Sequence, residues 1–177
     1  MRSIIQLALG VAFAAACSIA AAEPTLTYQV PAGWRTEQPK SSMRLAQFVL
    51  PRGAGDAEDA VAVIFFFGQG QGGTVDANLQ RWAGQMTQAG GRPGAVKDGK
   101  TTTFTANGHT VTVLDISGTL GTDMMTASAT PKPGYRMKAA VVETPGGPYF
   151  IKLTGPEKTV ARWDASFTAF LKSITYK

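Results

Sequence analysis

His109 is the only histidine in the chain, so any imidazole chemistry rests on it. A general base needs an oriented partner within hydrogen-bond reach. The nearest acidic residue on the same segment is Asp115, six positions on, and a hydrolase built on His109 with Asp115 or a loop carboxylate is the enzymatic reading. None of the serines sits in a G-x-S-x-G elbow. His109 directly follows an Asn-Gly pair, where a solvated turn histidine is the plainer expectation. Gly68-x-Gly70-x-x-Gly73 follows an apolar run and precedes a helix-like segment, the setting of a dinucleotide fingerprint. The segments after it form a hairpin, not a parallel crossover, so the glycines are expected to serve a flexible connection or an anion site at a helix start. Asp56, Glu58 and Asp59 share a loop but lack calcium-loop spacing. Met124 and Met125, with Met137, could offer thioethers to Cu(I), or cover an apolar groove by adaptable packing. No cofactor and no metal follows from these residues.

The segment from Met1 to Ala22 has the pattern of a secretory signal. A charged start at Arg2, an apolar run from Ile4 to Ala16 and a small-residue site at Ala20-Ala21-Ala22 place the cut before Glu23. The run is too short to span a membrane. The remainder, 23–177, is long enough for one globular domain with a substantial core. Cys17 is the only cysteine and is lost with the signal, which excludes disulfides and a thiol nucleophile. The alternative processing makes Cys17 a lipidated residue of an outer-envelope lipoprotein. The address is therefore periplasmic or secreted.

Without Arg2 there are 16 basic and 12 acidic residues, a formal +4. Eight basic against three acidic residues fall between Lys132 and Lys177, so the excess is C-terminal. It could meet an anionic envelope surface or an acidic partner, although a solvated lysine-rich surface explains it as well. No basic run suggests nucleic acid.

The elements that must hold these residues follow from periodicity. Leu26–Val30 and Met43–Leu50 alternate as strands, and Ala60–Phe67 (AVAVIFFF) is continuously apolar, as for a central strand covered on both faces. Thr74 caps a helix running to about Gln88, with Val75, Leu79, Trp82 and Met86 inward and Arg81, Gln85 and Gln88 outward. Thr101–Ala106 and His109–Gly118 flank Asn107-Gly108, the signature of a two-residue hairpin, with Val111, Val113 and Asp115 on one side of the return strand. Tyr135–Glu143 and Tyr149–Thr154 form a second hairpin. Leu120–Gly134, between the hairpins, has no period and is expected to be a long loop. A turn at Thr154-Gly155-Pro156 then leads into one amphipathic helix with Val160, Trp163, Phe167, Phe170, Leu171 and Ile174 as its stripe. The order β-β-β-α-β-β-β-β-α gives an α+β chain, an α/β/α sandwich around a mainly antiparallel sheet.

Two stretches carry a family resemblance. Tyr28-Gln29-Val30-Pro31-Ala32-Gly33-Trp34 is similar to the P-x-G-W opening of the PsbP-like superfamily, and GYRMKAAVVETPGG followed by YFIKLTGPEKTV resembles exported bacterial proteins of that kind. The superfamily includes an extrinsic photosystem II subunit and a Ran-binding nuclear transport protein. The resemblance implies an α/β/α sandwich and a binding role in place of catalysis, for an unknown protein or small-molecule partner. No functional residue of the family matches here. The candidate binding surface is the Leu120–Gly134 loop (Asp123, Met124, Met125) with the Gly68–Gly73 connection (Gly68, Gly70, Gly73) as its neighbour.

Overall fold

The computed structural model describes residues 25–121 and 130–177. Its centre is the continuously apolar run, strand β4 (Ala60–Phe66). Ala62 and Ile64 face one side and Val63 and Phe65 the other, and both sides are buried. The chain before β4 supplies β1 (Leu26–Thr27), β2 (Arg35–Glu37) and β3 (Arg44–Leu50). After β4 come helix α1 (Val75–Gly84), β5 (Met86–Thr87), β6 (Lys100–Ala106), β7 (His109–Leu120), β8 (Lys132–Thr144) and β9 (Gly147–Pro156). The C-terminal end adds α2 (Glu157–Arg162), α3 (Asp164–Lys172) and β10 (Thr175–Tyr176).

The main sheet has the order β2-β3-β4-β9-β8-β7, with β6 and β5 sharing the outer side of β7, and every pairing is antiparallel. β1 pairs with β10 in a separate two-stranded ribbon. Local chemistry fixes the hairpins. Asn107 (φ 48°) and Gly108 (φ 85°) take left-handed conformations, and Ala106 faces His109. A two-residue hairpin turn needs that handedness at both positions. Pro145 and Gly146 join β8 to β9, with Thr144 opposite Gly147.

Alternation along the strands sorts the side chains into two cores. On one face Ile64, Ile151, Leu153, Val113 and Val142 meet Phe167, Phe170 and Leu171 of α3 and Val160 of α2. On the other, Phe65, Ile116, Met137, Val141 and Phe150 meet Leu79, Trp82 and Ala83 of α1. Helices on both faces of an antiparallel sheet make the α/β/α sandwich that the family resemblance implied.

The elements differ from the expected order: β2, β5 and β10 are additional strands, β8 begins at Lys132 inside the expected Leu120–Gly134 loop, and three further boundaries move. The first helix stops at Gly84, and Met86 reaches the core from β5, where it pairs with Leu120. Its start is where expected: the Thr74 hydroxyl accepts the Ala77 N–H at 3.2 Å. Thr154-Gly155-Pro156 is strand, not turn. Gly155 lies against Ala60, so close that a Cβ there would stand 2.5 Å from the Ala60 Cβ. The terminal helix is two helices, broken at Trp163 (φ −97°, ψ 9°). Trp163 packs at the margin of the stripe: its ring is half-buried over Gly33 and its Nε1–H donates to the Pro51 carbonyl at 2.8 Å. Trp34 is the tryptophan fully enclosed on this face, buried among Phe48, Phe167 and Phe170.

Candidate functional site

The residues singled out for chemistry are held apart. His109 and Asp115 both lie on β7, six positions apart. On an extended strand that is about 20 Å. The His109 ring stands edge-to-face on Tyr176, with centroids 6.1 Å apart. Asp115 is taken by Arg136, whose Nε and Nη2 donate to its two oxygens at 2.7 and 2.6 Å. The His109–Asp115 pair is therefore corrected: no shared proton path joins them. Ser117 donates to Glu157 at 3.1 Å, with no imidazole in reach.

The acidic loop is likewise divided among structural roles. Asp56 accepts from Thr159 at 2.5 Å, and Asp59 accepts from Arg35 at 2.7 Å and from the Arg52 N–H at 2.9 Å. Glu58 accepts from Lys132 and from the Tyr135 hydroxyl. These bonds, the one from Lys132 first, hold the Glu58 carboxyl below its ordinary pKa. Burial and the bond to Glu58 push the Tyr135 phenol up. Among the described residues no three His, Cys, Asp or Glu side chains converge as metal ligands. Met137 is buried beneath α1. Asp123, Met124, Met125 and Cys17, with the whole 1–22 segment, lie outside the described residues.

Gly68–Gly73 sits beside the β8–β9 hairpin, where the Gln69 amide donates to the Pro145 carbonyl. β4 lies between two antiparallel strands, so no parallel crossover follows the glycines. Gly72, at φ 87°, approaches Phe150 so closely that a Cβ would lie 2.5 Å from the ring. The concavity at the start of α1 is flanked by Asp76 and Glu143. Two like charges there disfavour an anion. The strand ends that flank 122–129, at Leu120 and Lys132, lie at the other end of β8. Along a strand of that length the separation is about 40 Å. The two connections expected to be neighbours are thus rooted at opposite ends of the sheet.

A surface that the sequence reading missed is the groove between α3 and β6, of about 500 Å³. Its apolar floor is Phe104, Val113, Phe167 and Leu171, and its polar lining has four basic side chains (Lys100, Arg136, Lys138, Lys172) against two acidic ones (Asp115, Asp164). Strand alternation puts Arg136, Lys138 and Asp115 on the α3 face. Lys138 is only 7 % exposed and binds Asp164, with Asp115 at 3.8 Å and the Phe167 ring 5.9 Å beneath its ammonium. Arg136 also reaches Asp164 at 3.5 Å, and the Asp115 carboxylate holds its guanidinium still more firmly charged. The network neutralises itself at one end of the groove. Lys100 and Lys172 remain as a positive rim, and three of the four cations belong to the C-terminal basic excess noted in the sequence. The missed signal was Arg136-x-Lys138, two cations on one face of β8 just before its apolar run 139–142.

The chain shares its fold with LpqN. That protein, involved in cell envelope biogenesis of Mycobacterium tuberculosis, aligns over 88 % of this chain and 84 % of its own at 15 % identity, with a TM-score of 0.52. The cyanobacterial PsbP (CyanoP) of Synechocystis sp. PCC 6803 aligns over 90 % of this chain and 96 % of its own at 11 % identity, with a TM-score of 0.48. The sequence matches no protein-family model and no curated protein. Among the described residues no helix is long and apolar enough to cross a membrane.

Proposed function

We propose that this chain is an exported, non-enzymatic binding module of the cell envelope, and that it engages its partner through the α3–β6 groove. The groove carries the reading. Binding sites usually enclose roughly 300 to 1000 Å³, with an apolar floor and a few converging polar groups. The groove matches that description in size and lining. Its acids are each held by a base. It therefore offers fixed charge for recognition and no nucleophile–base pair. The signal-like segment Met1 to Ala22 supports export, and the fold shared with an envelope-biogenesis protein supports the address. Fold alone does not transfer a partner.

The test is site-specific photo-cross-linking in the producing cell, with benzoylphenylalanine at Thr168 on the groove wall or at Gln80 on the outer face of α1. An adduct of discrete mass from Thr168 and none from Gln80 is expected. Equal labelling, no adduct, or turnover of ester, peptide or phosphate substrates would overturn the reading. Mass spectrometry of the exported protein should find Glu23 as its first residue; a lipidated Cys17 would replace that cut.

A further inference from the structure

We infer that the outer edge of β6, together with the groove beside it, is a strand-addition site for an extended acidic segment of a partner protein. The inference rests on the groove being the binding surface and adds how the partner is held. Among the described residues β6 pairs only with β7. The two-residue turn makes Ala106 and His109 a hydrogen-bonded pair, so Phe104, Thr102 and Lys100 also direct their N–H and C=O groups at β7. The intervening residues, Thr101, Thr103 and Thr105, then present theirs outward, and all three are exposed. Among the described residues no strand covers them. Edge strands are usually blunted by brevity, proline, bulges or charge. The opposite edge follows that rule, since β2 has only three residues. β6 has seven in regular register, without proline or bulge, and its one charge is Lys100 at the start.

The residues that turn their backbone inward send their side chains into the groove: Lys100, Thr102 and Phe104 line it, opposite Thr168 and Lys172 of α3. A strand laid along β6 would sit about 4.8 Å away and hold every second side chain over the same groove mouth. Lys100 stands at one end of that path. Lys172 stands at the other, placed there by the Asn107 amide, which donates to its carbonyl at 3.0 Å beside the hairpin turn. The matching segment carries an apolar side chain over Phe104 and acidic ones toward the two lysines. A second copy of this chain fits less well, because edge-to-edge pairing brings two lysine rims to one seam.

The probe is a random dodecapeptide phage library panned against the exported protein. Acidic peptides should enrich, and their binding should slow hydrogen exchange at the Thr101, Thr103 and Thr105 amides. Thr103→Pro removes an outward N–H and no β7 bond, which an edge strand tolerates, and should weaken binding about tenfold, the worth of one main-chain hydrogen bond. Thr103→Val keeps the N–H, loses only the hydroxyl contact to Thr112, and should bind as wild type. Lys100→Glu with Lys172→Glu should turn the selection to basic peptides. No enrichment, enrichment without acidic residues, unprotected amides or full affinity in Thr103→Pro overturns strand addition. So does a concentration-dependent dimer that protects the same amides without peptide. The Thr168 cross-link separates the two readings: persistence in Thr103→Pro leaves the groove standing without strand addition, and its absence in wild type removes both.

Discussion

Replacing Phe170 by alanine tests whether the C-terminal helices hold the sheet through the ring cluster. Phe170 is buried, with ring centroids 5.2 Å from Tyr28, 5.2 Å from Trp34, 5.9 Å from Phe48 and 6.5 Å from Phe167. Its partners come from three separated parts of the chain, so the site cannot collapse by moving one element. A phenylalanine truncated in such a core costs about 3–5 kcal/mol. With a urea dependence of about 2 kcal/mol per molar, the unfolding midpoint should fall by about 2 M. Trp163→Ala is the companion. Its larger ring is half-exposed and donates one hydrogen bond, to Pro51. Losing part of that packing and the bond should cost about 1–2 kcal/mol. The midpoint should then move by less than about 1 M. Far-UV circular dichroism is the readout, because tryptophan emission changes with Trp163 itself. A smaller shift for Phe170→Ala than for Trp163→Ala would refute the assignment of the core to Trp34 and α3.

Gly155→Ala forces a Cβ to within 2.7 Å of the Ala60 Cα. It should cost about 1–3 kcal/mol in the same titration. Gly84→Ala meets nothing within 4 Å at the end of α1. It should stabilise by about 0.4–1 kcal/mol. Asp115→Asn leaves Arg136 and the buried Lys138 short of a carboxylate. The expected cost in urea unfolding is about 1.5–3 kcal/mol. Glu58 is held below its ordinary pKa of 4.5. Its contribution is therefore whole above that pH and is lost as pH falls through the lowered folded value. Glu58→Gln should accordingly flatten the acid limb of a plot of Tm against pH.

Local chemistry made much of the fold legible. Asn107-Gly108 dictates its own turn, the apolar run of β4 demands two covered faces, and Thr74 caps the helix it precedes. What stayed hidden depends on pairings between distant residues. Gly155 looks like a turn residue until Ala60 is known to lie against it. The break at Trp163 follows from tertiary anchoring, in which the indole bonds Pro51 and packs on Gly33, and no local sequence rule announces it. The groove was invisible for the same reason. Its charges come from β6, β7, β8 and α3, and only the register that sets Asp115 opposite Lys138 gathers them. Placing Gly68–Gly73 beside the 120–134 connection failed because the partner of β4 on that side is β9, which no pattern near β4 reveals.

The pairing of β4 with β9 also bears on how the polypeptide is made. Val61 finds its neighbour in Thr154, far later in the order of synthesis. At ordinary elongation rates of about 5–20 residues per second, the oiliest strand waits about 5–20 s with one side unpaired. A nascent chain in that condition is sticky, and folding before the C-terminal third emerges is ruled out by topology. A chaperone that holds such a molecule open suits it, since its sheet can close only after the last strands arrive.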